Sequence, residues 1–381
     1  ANSYITGAGH NVFQVDANVT YFYGGGQGVS FRSADNSVEL INITNTGILS
    51  TITPGTSNFR MGVAAGLGIA SGGNYNVCVG DQAGNDITTG DENSYFGYAA
   101  GDDSSTGVQN TAIGASSLSG GSSLGNNTCV GRAAGTALNN GENTAFGANS
   151  LVTGTNTAGA TALGSHSLFS HEVASGALTN NTAAGYYSGY SVTDGLANTL
   201  IGSRAGYGSG TSTRLTTGDS NTLVGYFART NAAGTNQANC FGANLGGDSG
   251  YTTIGYSSSD IRAAHGNVTW ATISDVRYKK EIVNSTAGLS FINDLIPRTF
   301  KYKTLGELPE TFNAYEADST EVYKNSYTNH GFIAQEVKTA IDNHPELKDG
   351  FKLWDDRSDG SQEVGESALI PVLVKAIQEQ N

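Results

Sequence analysis

Asn110-Thr111-Ala112-Ile113-Gly114 decides the fold, because this pattern returns along the chain at a nearly constant interval. Glycines equivalent to Gly114 stand at Gly62, Gly80, Gly97, Gly131, Gly147, Gly164, Gly185, Gly202, Gly225, Gly242 and Gly255. The intervals, in chain order, are 18, 17, 17, 17, 16, 17, 21, 17, 23, 17 and 13 residues, so the period is 17. The residue before the glycine is apolar in every unit, from Met61 to Ile254. Asn stands four before it in nine of the twelve units, and Ala or Ser three after it in eleven.

Each recurring residue has a physical reading. A run such as Asn-Thr-Ala-Ile is too short for a helix and reads as a short strand. Gly and Asn at fixed offsets supply the left-handed backbone of tight turns. One 17-residue coil cannot bury its own apolar side, but stacked coils do, pairing their strands in parallel at ~4.8 Å per layer. About twelve such coils make a rod of roughly 55–60 Å. Stacked Asn side chains are expected to form a ladder along it. Cys78, Cys129 and Cys240 each stand two before an anchor glycine and read as small buried hydrophobes. Cys78 and Cys129 are three coils apart, too far for a bridge.

Outside this pattern the composition changes. Gly makes up 53 of the 381 residues, and 47 of those precede residue 274, whereas all nine Lys follow it. Two kinds of fold therefore meet near 260–274. The net charge of −14 argues against nucleic-acid binding through phosphate neutralisation. No stretch reaches the ~18–20 apolar residues of a membrane span, so the chain reads as soluble, without membrane insertion. It has no starting Met and no signal-peptide layout, and reads as a mature or cut-down fragment. Three cysteines make no disulfide framework and no zinc motif; no metal and no cofactor are expected.

Repeats such as Asn143-Thr-Ala-Phe-Gly-Ala-Asn-Ser-Leu151 resemble the head repeats of trimeric autotransporter adhesins over roughly 58–259. The resemblance implies a parallel β-roll in a homotrimer, although those repeats are nearer fourteen residues. Residues 1–57 differ. Val12–Val15, Val19–Tyr23, Val29–Phe31 and Val38–Ile43 read as short strands of a β-domain or shaft, with a turn at Asn45–Leu49 leading into the rod.

Residues 274–381 read as α+β. Leu289–Leu295 is a helix stopped before Pro297, and Thr299–Lys303 a strand. Gly331-Phe-Ile-Ala begins another strand, followed by a helix from Gln335 to Asp342. A terminal helix over Ser367–Gln380 carries Ile370, Leu373 and Ile377 at heptad-like spacing, suited to a bundle about a threefold axis. Four blocks carry a second resemblance: Ser274-Asp-Val-Arg-Tyr-Lys-Lys-Glu-Ile282, Leu295-Ile-Pro-Arg-Thr-Phe-Lys-Tyr302, Gly331-Phe-Ile-Ala-Gln-Glu-Val337 and Ala368–Gln378. Together they resemble the C-terminal intramolecular chaperone of phage tailspikes, tail fibres and endosialidases. That resemblance implies a domain that trimerises the chain, helps its β-rich part to fold, and then cuts itself off.

The family's cutting residues carry over to Ser274 and Lys279, with the scissile bond at Ile273–Ser274 and a supporting role for Asp275 and Arg277. A serine hydroxyl needs a base to become a nucleophile, and a lysine is that base only when unprotonated. Lys280 stays open as the base if the register is one residue off. The resemblance implies a Ser–Lys self-cleaving activity and no external substrate, giving 1–57 (β-domain or shaft), 58–259 (rod), 260–273 (linker with the cleavage site) and 274–381 (chaperone).

Two enlarged units, at Phe169–Asn180 and Gly206–Ser220, are expected to bulge from the rod. Loops on a rigid scaffold commonly bind, so His171, Tyr186, Tyr187, Tyr207 and Arg214 are candidate receptor contacts. Acids such as Asp81, Asp91, Asp102 and Asp103 lie in the variable stretches, where charge usually means a solvated loop. The expected whole is a mostly β homotrimeric tail fibre or spike of a virion, extracellular, binding a host-surface glycan or protein. The alternatives are a trimeric bacterial surface adhesin and a glycan-depolymerising tailspike.

Overall fold

A computed structural model describes residues 53–121, 125–154, 156–173, 178–208, 210–267, 269–347 and 350–381, and the backbone of short strands within 6–51. The chain divides into two compact units, Ala1–Ile273 and Ser274–Asn381.

In the first unit ten of the twelve anchor glycines follow a three-residue strand, and Gly242 and Gly255 lie within the longer strands Asn239–Ala243 and Tyr251–Tyr256. Thr111–Ile113 pairs in parallel with Ser94–Phe96 on one side and Thr128–Val130 on the other, in matching register. The same register runs from Phe59–Met61 to Tyr251–Tyr256, in a thirteen-stranded sheet whose last pairing alone is antiparallel. The result is a β-solenoid of about eleven turns with a spacing near 17 residues. Ser259–Ala264 closes it, folding back on Tyr251–Tyr256 and exchanging backbone hydrogen bonds with Ala271 through Arg262.

The turn after each strand explains the glycine. Gly114 has φ +127°, and a Cβ there would stand 2.6 Å from the Gly131 carbonyl oxygen of the next coil. Two residues on, the chain is left-handed again, but the residue is never glycine: Ala64, Gln82, Ala99, His166, Tyr187 and Arg204 all have φ between 50° and 61°. That conformation costs roughly 1–2 kcal/mol per L-residue. In return the amides from Gln82 onward donate to the previous coil, as Gln82 N–H does to Val63 O at 2.8 Å.

The core is a column of single side chains. Residues two before the glycine are fully buried from Cys78 through Tyr95, Ala112, Cys129 and Ala145 to Leu223 and Cys240. In most coils their size is matched four residues after the glycine, Ala183 with Gly189 being an exception. Ala112, Ala145 and Ala162 go with the buried Leu118, Leu151 and Leu168. Cys78, Tyr95, Cys129 and Leu200 instead go with Gly84, Gly101, Gly135 and Gly206. The reason is space: a Cβ on Gly101 would meet the Tyr95 ring at 2.5 Å. Burial pushes the Cys78 and Cys129 thiols up to about 12, and all three cysteines are free.

The expected Asn ladder is present and buried. Asn93 Oδ1 accepts from the backbone N and Nδ2 of Asn110 at 3.0 and 3.1 Å, and Asn110 Oδ1 accepts from the same two groups of Asn127. Each rung thus replaces the water that a buried amide would otherwise need.

The residue just before the glycine faces outward instead. Met61, Phe96, Ile113, Phe146, Leu163, Ile201, Phe241 and Ile254 are all exposed, making one apolar stripe along the strands. A stripe of this extent is unusual for a surface that meets only water.

Within 6–51 a four-stranded antiparallel sheet runs through Phe22–Gly25, Gly28–Arg32, Glu39–Ile43 and Leu49–Thr51. The strand expected at Val12–Val15 and the turn at 45–48 lie outside the described residues.

The second unit contains helices α1 (Leu289–Asp294), α2 (Ala334–Asp342) and α3 (Ile370–Gln380). Two short antiparallel pairs accompany them: Arg298–Phe300 with Asn329–Gly331, and Trp354–Asp356 with Gln362–Val364. The strands are shorter than expected: Lys301–Lys303 leave the first, and Gly331 ends its partner rather than beginning it. Phe291, Val337, Ile341, Leu353, Leu369 and Val372 form the core. Arg298 holds Glu336 through two hydrogen bonds of 3.0 and 2.7 Å, tying strand to α2. Val372 and Ala376 are the buried residues of α3, whereas Ile370, Leu373, Val374 and Ile377 are exposed. The heptad-spaced face of α3 therefore points away from its own unit.

Candidate functional site

The segment after Ile273 is built to bend back on itself. Asp275 caps a single 3-10 turn, Val276–Tyr278, by accepting from Arg277 N at 2.8 Å. The Arg277 guanidinium also grips the Asp275 carboxylate at 3.0 and 2.6 Å, holding that carboxyl below its usual range. Lys279 N–H closes the turn on Val276 O at 3.0 Å. The outcome is that Lys279 Nζ donates to Ser274 Oγ at 2.7 Å. Lys280, the other lysine considered, lies instead 3.8 Å from Glu281. Ser274 and Lys279 are both exposed in the single chain, as are Ile273, Val276 and Tyr278. The division between the two units falls on the Ile273–Ser274 bond.

The candidate receptor residues separate into two groups. Tyr186, Tyr187, Tyr207 and Arg214 gather on one corner of the solenoid. Tyr187 lies 4.4 Å from Tyr186 and 5.8 Å from Tyr207, ring centre to ring centre, and the Arg214 guanidinium sits 4.6 Å over Tyr207. His166, Phe169 and Tyr190 join them, with Phe169 and Tyr190 stacked at 5.0 Å. Phe169 and His166 were missed as members of this corner. The signal for them was their offset from the anchor glycine, two and five residues, which Tyr187 and Tyr190 share.

His171 does not belong there, and its assignment as a receptor contact is corrected. It is fully buried, with Nδ1 on Thr193 O at 2.7 Å and Nε2 on Asn181 Nδ2 at 3.1 Å. The ladder has Ala160 where an Asn would stand, and the imidazole supplies the partner that Asn181 would otherwise lack. Burial drives its pKa down to about 4, against the smaller upward pull of Thr193. The neutral ring fits both contacts, donating through Nδ1 and accepting through Nε2.

The rod acids serve neighbouring coils. Asp81 accepts from Val63 N at 3.0 Å, and Asp91 from Asn74 N at 2.6 Å. Among the described residues no group of three or more His, Cys, Asp or Glu is placed to hold a metal ion, and no helix is long and apolar enough to cross a membrane.

Residues 274–345 match the family model described as chaperone of endosialidase. No curated protein and no solved structure matches the chain. The match begins at the serine that Lys279 contacts. With a β-solenoid ahead of it, this similarity to the chaperone of endosialidase fits an endosialidase-type tail fibre that ends in a chaperone domain.

Proposed function

We propose that this chain is a segment of a homotrimeric phage tail fibre or tailspike that attaches the virion to a host-surface receptor, with residues 274–381 driving trimer assembly and then severing themselves after Ile273. The observation that carries the reading is a coincidence at one residue. Ser274 starts the chaperone match, starts the second compact unit, and carries the hydroxyl 2.7 Å from Lys279 Nζ.

The chemistry is as follows. Lys279, unprotonated, takes the Ser274 hydroxyl proton as Oγ attacks the Ile273 carbonyl carbon. The proton passes to the Ser274 nitrogen as the peptide bond breaks, leaving an ester between Ile273 and Ser274 Oγ. Water then hydrolyses that ester, giving a carboxylate at Ile273 and a free amine and hydroxyl at Ser274. Burial favours the neutral amine that a lysine base needs, so the reaction waits until Lys279 is covered from water. Assembly provides the cover, which orders folding before cutting.

Two surfaces support the trimer. The outward apolar stripe of the solenoid recurs from coil to coil, and α3 leaves Ile370, Leu373 and Ile377 exposed; parallel copies in register would cover both. Parallel pairing of distant segments folds slowly and leaves edges exposed, the circumstance in which a C-terminal trimeriser helps. Cutting afterwards makes the folded fibre hard to reverse, a gain in kinetic stability.

The test is the oligomeric mass of the purified protein with and without residues 274–381, together with binding of the labelled protein to a panel of intact bacteria. A monomer in both preparations, or no bound cell in the panel, would remove the reading.

A further inference from the structure

Aromatic rings gather at two offsets in three successive coils. Two residues past the anchor glycine stand His166 and Tyr187, with Phe227 at that offset in a later coil, and five past stand Phe169, Tyr190 and Tyr207. In other coils the same offsets hold Ala99, Ser116 or Ala133, and Asn85, Asp102 or Thr136. The coil does not need the rings. Ala133 has φ 55° and donates to Ala115 O at 2.9 Å; Tyr187 has φ 58° and donates to Ser165 O at 3.1 Å. A bulky side chain is disfavoured in that backbone region, so its presence asks for a use beyond folding.

The rings stack along the coil direction. Tyr187 lies 4.9 Å from His166 and 4.7 Å from Tyr190, and Tyr190 lies 5.0 Å from Phe169 and 5.9 Å from Tyr207. Stacking spends the ring faces on one another and leaves edges and tyrosine hydroxyls for a ligand. Ring edges carry the positive end of the aromatic quadrupole, and the hydroxyls donate.

Arg214 ends the column. The bulge after Tyr207 passes through a 3-10 turn, Thr211–Thr213, and the chain is buried again at Leu215. This lays the guanidinium over Tyr207, with Nη2 donating to the Tyr207 hydroxyl at 3.3 Å. Among the described residues no carboxylate pairs with Arg214, and its Nε is buried without a hydrogen-bond partner. Arg204 stands exposed one coil beyond Tyr187, at the same offset. Among the described residues these two cations have no carboxylate partner, on a chain of net charge −14.

We infer that this corner binds a carboxylate-bearing sugar of a host-surface glycan. Arg214 takes the carboxylate, and the tyrosine hydroxyls and ring edges take the sugar's hydroxyl and ring oxygens. A single guanidinium without a carboxylate partner suits one planar monoanion. The inference rests on the attachment reading above and supplies the receptor's chemistry.

The test uses the purified full chain on an array of bacterial polysaccharides, each acidic one printed also in carboxyl-reduced form. Binding to an acidic polysaccharide is expected, lost on carboxyl reduction, and weakened about 10- to 100-fold by Arg214→Gln. Tyr187→Ala and Tyr190→Ala are expected to weaken it too, with oligomeric mass and melting temperature unchanged; alanine already occupies the Tyr187 offset at Ala64, Ala99 and Ala133. Equal binding of the carboxyl-reduced form, undiminished binding by Arg214→Gln, or a silent array overturns the inference. The same labelled proteins are applied to intact bacteria. Cells bound equally by wild type and variants leave attachment standing and remove this site, whereas an absence of any bound cell removes both.

Discussion

Lys279 Nζ and Ser274 Oγ are in hydrogen-bond contact across one capped 3-10 turn, while Lys280 faces Glu281. Wild-type protein is therefore expected to give two fragments, 1–273 and 274–381, by mass spectrometry. Ser274→Ala and Lys279→Ala should each give one intact chain of 39.2 kDa. Lys280→Ala should still be cut. Cleavage of Lys279→Ala at the wild-type rate would show that another group takes the hydroxyl proton.

The size match between Tyr95 and Gly101 predicts a compensating pair. Tyr95→Ala empties a fully buried site and should cost about 3–5 kcal/mol. Adding Gly101→Leu recreates the pairing found at Ala112 and Leu118 and should recover most of that loss. Gly101→Ala alone should destabilise, by about 1–3 kcal/mol of overpacking against the ring. Denaturant midpoints of the three variants check the set. Additive losses would mean that the two positions do not share one space.

Two histidines give the two units opposite responses to pH. His171 has a folded pKa of about 4, below its ordinary 6.5. The unfolded chain thus takes up the proton first, and stability held above about pH 6.5 is lost as pH falls toward 4. Its size is on the order of 3 kcal/mol. His344 is the reverse. It bridges Asp294 at 2.9 Å and Glu346 at 3.0 Å, and the Asp294 hydrogen bond, opposed by burial, leads the rise in its pKa. Its contribution is full below pH 6.5 and fades as pH rises through the raised value. Melting of 1–273 and 274–381 measured separately between pH 4 and 8 should slope in opposite directions. His171→Asn should flatten the first slope, and His344→Gln the second.

The exposed face of α3 gives a test of assembly that leaves the unit's core alone. Leu373→Asp and Ile377→Asp change exposed residues and leave the buried Val372 and Ala376 in place. They are expected to shift the protein from trimer to monomer in sedimentation, with helical content unchanged. A trimer that survives both changes would place the contact elsewhere.

The sequence disclosed the period, the short strands, the buried cysteines and the ladder, because each depends on spacing within one coil and its neighbours. Ile113 and Phe146 show what it withheld. An apolar residue looks the same in sequence whether its own chain or another covers it, so their outward direction was not legible. The left-handed backbone of Gln82 and Arg204 was hidden too, since hydrogen bonds between coils, rather than residue preference, impose it. His171 looked like a loop residue because its place is set by Ala160, a missing rung eleven residues earlier in the chain. The contact between Ser274 and Lys279 was suggested by family resemblance; the turn that makes it depends on Asp275 and Arg277.

The hairpin strand Ser259–Ala264 bears on the product of the proposed cleavage. A stack of parallel strands that simply stopped would offer its last backbone edge to the next molecule, and fibres would grow end to end. Here the final layer is turned back on itself, with Asp260 and Arg262 on the returning strand and Ala271 bonded across it. All of these residues precede Ile273. The portion left behind would carry its own stopper, and losing the helper would not unmask a sticky terminus.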